Sequence, residues 1–198
     1  MSERTNTNGK HESSREALLR AATTLFGEHG PAAVSTRQIA AEAKVNSGLI
    51  HRHFTTKEAL LREVMSRLAE DIAATEEGDE DDLALMLRFL EATREHTAYW
   101  KLLARCVLDG ESPEAMQDDF PTVRRVRELL ESMQAKGTLS KQFDPRGLTG
   151  IFIAMVLGYM VFEPWLIHAT GTDDRPIEEA RALMRNTGLT LIAAAAKI

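Results

Sequence analysis

The sequence predicts an all-α protein in two parts, a small N-terminal head and a larger helical body. Three observations predict it. Apolar residues recur at three- and four-residue spacings along nearly the whole chain, and no run alternates with the period of two that a strand needs. Helix-start residues (Ser, Thr, Asn) and helix-stop residues (Gly, Pro) punctuate that pattern at intervals of one helix length. Charge is also unevenly spread: residues 1–60 hold eight Lys/Arg against six Asp/Glu, whereas the remainder holds 16 against 24, which accounts for the net charge of -6. A mildly basic head on an acidic body suits a nucleic-acid reader with a separate partner-binding part, although -6 for the whole chain argues the other way.

The first twelve residues are polar, carry no apolar stretch of the kind a secretory signal needs, and are expected to form a flexible tail. A first helix is expected over about 14–29, opened by a capping box of Ser13 and Glu16 and stopped by Gly30-Pro31. Leu18, Ala21, Ala22 and Leu25 make its apolar face. Ser35 and Gln38 form a second box, and Val34 and Ile39, before and after that cap, sit at the spacing of a hydrophobic staple. After a turn at residues 43–45, Asn46 can cap a third helix ending near Phe54. Thr55 or Thr56, with Glu58, opens a fourth that runs to about Ala74. The acidic run at 76–82 reads as a solvated connection or as the negative first turn of the next helix. Further helices are expected at about 81–94, 96–109, 114–136, 145–168 and 174–196.

The block from Ser35 to Phe54, STRQIAAEAKVNSGLIHRHF, places two short helices around a tight turn, which is a helix-turn-helix. Ile39, Ala40, Ala43, Val45, Ile50 and Phe54 supply its buried side, leaving Ser47, Gly48, Leu49, His51 and Arg52 outward on the second helix; His53 either joins them or packs to support the motif. Such a face suits a DNA major groove: Arg bonds guanine bidentately, Ser and His bond base edges or phosphates, and a Leu touches a thymine methyl. Glycine costs about 1 kcal/mol inside a helix, so Gly48 either lets backbone approach DNA closely or merely eases the turn. His51 and His53 lie two apart and point to nearly opposite sides of a helix, so no metal site is expected there.

The run VNSGLIHRHFTTKEALL resembles the recognition helix and following segment of the TetR family of bacterial regulators; Val45, Gly48, Ile50, His53, Phe54, Lys57 and Leu60 carry the likeness. Together with the preceding ALLRAATTLFGEHGPAAVSTRQIAAEA, the resemblance covers about residues 14–66. It implies a helix-turn-helix DNA-binding domain over 13–58 and an effector-binding and dimerisation domain over 59–198. It implies phosphate contacts by Ser35 and Thr36 at a helix start, base reading by Arg37, groove-facing roles for Asn46, Ser47, Gly48, Leu49, His51 and Arg52, and backbone-holding roles for His53 and Lys57. His51 stands where the family commonly has Tyr, so any contact made there by a phenol comes instead from an imidazole.

One head meets one half-site, so affinity calls for a homodimer whose heads lie about 34 Å apart on a palindromic operator. Gly150, Ala154 and Gly158 form a groove of small residues, and Ile177, Ala180, Met184, Thr187 and Leu191 a stripe on the final helix; both fit either a partner helix or the chain's own core. The apolar run 148–167 is read as a bundle helix and not a membrane span, because Glu163 and Pro164 interrupt it. The family resemblance implies a small-molecule effector among the body helices. The candidate lining is Phe89, Tyr99, Trp100, Cys106, Phe120, Met155, Tyr159, Phe162, Glu163 and Trp165; an inward Glu163 favours a cationic or hydrogen-bond-donating ligand, and the alternative is a Glu163 that faces solvent beside the Pro164 kink.

Enzyme chemistry has little support: no Gly-x-Ser-x-Gly, phosphate loop, dinucleotide glycine pattern or spaced metal-ligand set occurs, and no cofactor is expected. Cys106 as a nucleophile, or a head that binds protein instead of DNA, are the alternatives. The lone cysteine has no disulfide partner within the chain, which fits a cytoplasmic setting. The expected function is sequence-specific DNA binding, with repression relieved by an effector.

Overall fold

A computed structural model describes residues 7–74 and 82–196. Among them all regular structure is helical: α1 (Thr7–His29), α2 (Thr36–Glu42), α3 (Gly48–Phe54), α4 (Lys57–Ala73), α5 (Asp82–Glu95), α6 (Thr97–Leu108), α7 (Pro113–Met116), α8 (Pro121–Ala135), α9 (Pro145–Ala169) and α10 (Ile177–Ala196). The chain forms two compact units, residues 1–72 with 96–121 and residues 73–95 with 122–198.

In the first unit α1 packs against α2, α3 and α6. Leu18, Ala22 and Phe26 of α1, Ile39 of α2, Ile50 of α3 and Leu60 of α4 have no exposed surface, and this continuous apolar core sets the angles of the short helices, which are too short to be stable alone. Two ion pairs tie α1 to α4: Arg15 donates to Glu63 at 2.7 Å and Arg67 to Glu16 at 2.8 Å. That bond redirects Glu16 from its expected capping role. The helix starts at Thr7, so Ser13 lies inside α1 and is not at its N-cap position. Of the tail expected over 1–12, residues 1–6 lie outside the described residues, and Thr7 onward is helix. The acidic run at 76–82 lies outside them too, except for Asp82 at the start of α5.

The other boundaries fall within a few residues of expectation, with one exception. The single helix expected over 114–136 is two, α7 and α8, separated by Gln117 to Phe120. Pro121 causes the break: it has no N–H to donate and it disfavours helical backbone at Phe120 before it. The interruption is used, because Gln117 turns inward with 2% of its surface exposed, accepts a hydrogen bond from the Tyr99 hydroxyl at 3.2 Å and donates to the Met65 carbonyl at 3.4 Å.

The second unit contains α5, α8, α9 and α10. Met86 and Phe89 of α5, Val126 and Leu130 of α8, Phe152 of α9 and Ala180 of α10 are buried. A guanidinium–carboxylate pair joins α9 to α10, with Arg181 donating to both oxygens of Glu163 at 2.9 and 2.8 Å. α9 is long and apolar enough to cross a bilayer, with mean hydropathy 1.8 over its most apolar window, and only 17% of that window is buried. Its exposed large side chains are Ile151, Met155, Phe162 and Trp165. These stand at spacings of four, seven and three, which places them on one face of the helix.

Candidate functional site

The head is built by local rules that hold in detail. Ser35 Oγ accepts the Gln38 N–H at 3.3 Å and Gln38 Oε1 accepts the Ser35 N–H at 2.8 Å, the reciprocal box. Val34 and Ile39, the staple pair, are both buried. α2 ends with Lys44 in the left-handed region, φ 55°, while the Val45 N–H reaches back to the Ala40 carbonyl at 2.9 Å and the Lys44 N–H to Ala41 at 3.1 Å. This is a Schellman ending, made without the usual glycine. Asn46 Oδ1 then accepts the Gly48 N–H at 2.8 Å, so Asn46 opens α3 as expected although the helix itself begins at Gly48. At the far end Thr55 has φ 66° and ψ -53°, and the Thr56 N–H bonds the Phe54 carbonyl at 2.7 Å. That tight γ-turn is rare and strained. Thr56, not Thr55, caps α4, accepting the Ala59 N–H at 3.1 Å.

These turns aim the side chains. Arg37, Ser47, Gly48 and Arg52 are exposed, and neither Arg37 nor Arg52 has a partner among the described residues. A Cβ on Gly48 would meet only Asn46 Oδ1, at 3.2 Å, so no packing against the rest of the fold demands glycine there. Ser35 is exposed but committed to its cap, while Thr36 and Leu49 are half-buried. His51 is exposed, with Nδ1 2.8 Å from the Thr55 carbonyl. A carbonyl only accepts, so Nδ1 carries the proton and a neutral ring offers Nε2 outward as an acceptor. His53 turns the other way: it is half-buried, its Nε2 lies 3.1 Å from Ser14 Oγ and its ring meets Phe54 edge-on. It supports α1 and is not part of the outward row. Lys57 Nζ donates to the carbonyls of Pro31 and Val34 at 3.0 and 3.2 Å, bracing the α1–α2 connection with two of its three N–H groups.

The candidate effector residues do not come together. Trp100 and Cys106 are buried in the first unit and Phe120 is 40% exposed there. The Trp100 indole N–H is buried and has no acceptor among the described residues. Burial and the nearby Glu111 and Asp109 push the Cys106 thiol up to about 11, so it carries no thiolate at neutral pH. In the second unit a cavity of about 160 Å³ opens between α5, α9 and α10. Met155 and Tyr159 line it, as do Thr93, Arg94, Met184 and Arg185, none of which was in the expected lining. Phe89 lies behind Phe152, ring to ring at 6.0 Å, while Phe162 points to solvent at 56% exposure. Glu163 does not face the cavity as a free anion. Its oxygens are taken by Arg181 and by the Tyr159 hydroxyl at 3.1 Å, and the Arg181 bonds hold its carboxyl below the ordinary range. The expectation of a cationic ligand therefore loses its basis.

Of the expected dimer residues, Gly150, Ala154, Ile177 and Leu191 are exposed and Gly158 is half-exposed with open space over it. Ala180 has no exposed surface and packs inside its own unit, and Met184 lines the cavity. The α10 stripe thus turns partly inward, whereas the α9 face is the open one. Among the described residues no group of three His, Cys, Asp or Glu side chains is placed to hold a metal ion.

Residues 18–64 match the family of bacterial regulatory proteins, tetR family. The chain is 35% identical over 165 residues to the helix-turn-helix transcriptional repressor Rv3405c of Mycobacterium tuberculosis, a span covering 83% of this chain and 81% of that protein. It belongs to the TetR family. Two solved structures share the fold: a TetR-family regulator from Rhodococcus sp., with TM-score 0.67 at 22% identity over 93% of this chain and 99% of the other, and GusR of Salmonella enterica, with TM-score 0.67 at 21% identity over the whole of both. The protein is a DNA-binding transcriptional regulator. What the sequence alone missed in this TetR-family chain is the inward use of Lys57, whose bonding partners are 23 and 26 residues away; the packed alternative for His53 was legible, but its Ser14 partner, 39 residues away, was not.

Proposed function

We propose that this protein is a cytoplasmic, non-enzymatic homodimeric repressor that occupies a palindromic operator and releases it when a small molecule enters the cavity of the second unit. The observation that carries the reading is the outward row of Arg37, Ser47, Gly48, His51 and Arg52, whose two arginines have no partner among the described residues. Unengaged guanidiniums, Arg37 on α2 and Arg52 on α3, with a bare glycine at the start of the seven-residue α3, suit insertion into a major groove. Ser35 and Thr36 stand at the start of α2, where the free N–H groups of a helix terminus favour a phosphate. Lys57 keeps one N–H for a second phosphate. His51, as a neutral acceptor, suits an amino group of adenine or cytosine better than a phosphate.

The α9 face of Ile151, Met155, Phe162 and Trp165 supports the dimer, because a contiguous apolar face of this size is rarely left open to water. Gly150, Ala154 and Gly158 beside it allow a partner helix to approach closely. The printed name of the mycobacterial relative, a repressor, favours repression over activation. Effector entry then biases the spacing of the two heads away from successive major grooves.

Gel-shift titration on DNA taken from upstream of the protein's own coding sequence tests this. Selective binding that weakens steeply between 50 and 200 mM salt is expected, since six to ten phosphate contacts cost about 10³–10⁵ in affinity over that range. Binding that is absent, or indifferent to sequence, overturns it.

A further inference from the structure

The charges around the second-unit cavity do not balance. Among the described residues two cations line it, Arg94 and Arg185, and no carboxylate does. The anions nearby are already spent: Glu163 takes two bonds from Arg181, and Glu178 accepts from Arg181 at 2.6 Å while standing 3.6 Å from Arg94. Three guanidiniums therefore face two carboxylates. The surplus falls on Arg185, which lines the cavity and has no hydrogen-bond or ion-pair partner among the described residues.

The hydroxyls sharpen the picture. Thr93 donates to the Leu90 carbonyl at 2.7 Å and Tyr159 donates to Glu163, so neither has a proton left for a ligand. Among the described residues of the wall the only unspent side-chain donors are guanidinium N–H groups, which bind acceptors and pair best with a planar carboxylate. The rest of the wall, including Leu90, Phe152, Met155, Val156 and Met184, is apolar. A dry apolar cavity of about 150 Å³ holds a benzene-sized body, and this one, at about 160 Å³, is of that size.

We infer that the effector cavity is built for a small apolar monoanion, a carboxylate with a body of about one ring or a short alkyl chain, with Arg185 taking the carboxylate and Arg94 standing beside it. This rests on the effector reading above and adds the ligand's chemistry. The bonds around Glu163 exclude a cation: a positively charged head would meet unpaired Arg185 in a wall whose described residues include no free anion.

Isothermal titration of the full-length protein with 4-phenylbutanoate, hexanoate and octanoate, each beside its neutral primary amide, tests the inference. At least one acid is expected to bind ten-fold or more tightly than its amide. In Arg185→Gln that ratio should fall toward one, and in Val156→Trp, which fills the cavity, acid and amide should both lose binding. Acid and amide of equal affinity, an unchanged ratio in Arg185→Gln, or no acid binding at all overturns the ligand class. Operator release is followed separately by fluorescence anisotropy. An acid that binds with Arg185 dependence but leaves the operator complex intact overturns the effector reading and keeps the ligand class. Release by a neutral or cationic compound alone does the reverse.

Discussion

Replacing Lys57 by Met keeps the aliphatic stem and removes the ammonium, which separates two jobs that this one group performs. Its two inward bonds, at 3.0 and 3.2 Å, hold the Pro31 and Val34 carbonyls at the start of the α2 segment. A hydrogen bond from a charged donor contributes about 1.5–3 kcal/mol when sheltered. Lys57 is half-buried, so solvent competes for the same carbonyls and the pair together should contribute about 1–2 kcal/mol. For a chain of this size each kcal/mol moves the melting temperature by about 2–4 °C, giving an expected fall of about 2–8 °C by calorimetry. The remaining N–H is the one available to a phosphate, and its loss should reduce the slope of log K against log salt by about 0.9 per head. Both effects belong in the same variant. An unchanged melting temperature refutes the bracing role, and an unchanged salt slope with a lowered melting temperature removes Lys57 from the phosphate contacts and leaves it a positioning residue.

Three further outcomes follow from the same geometry. Arg52→Ala should cost about 1–3 kcal/mol of discrimination at one base pair of each half-site, read as a flattened preference in binding selection from random DNA, while the melting temperature stays put because Arg52 is exposed and makes no hydrogen bond or ion pair with a described residue. Trp165→Glu puts a charge on the α9 face at a side chain 66% exposed, and sedimentation should register dissociation to monomer with little loss of helicity. Glu163→Gln should destabilise the protein by about 1–2 kcal/mol at pH 7. Because Arg181 holds the Glu163 carboxyl below its ordinary value of 4.5, its stabilisation is complete at neutral pH and fades as pH falls below 4.5; denaturant titrations over that range should therefore show a smaller acid-induced loss in the variant than in the native protein.

Much of the head was legible because its signals are local. The Ser35–Gln38 box, the Val34–Ile39 staple and the Asn46 contact to Gly48 each join residues within five positions, so the order of the chain states them. The turn at 43–45 was legible too, but not its left-handed Lys44, since a lysine there carries no residue-type signal of the kind glycine does. The break before Pro121 was visible in principle, through the missing N–H, but the apolar spacing on either side of it suggested one continuous helix.

The sequence by itself determined the helical class, the helix-turn-helix and the chemistry of its outward row, because periodicity, caps and residue types act over one or two helical turns. Tertiary structure alone decided which polar groups remain free. Lys57 and His53 are spent on partners 23 to 39 residues away, Glu163 is neutralised from α10, and Arg185 is left over. A charge's availability depends on what folding brings within about 3 Å of it, and spacing along the chain does not encode that distance.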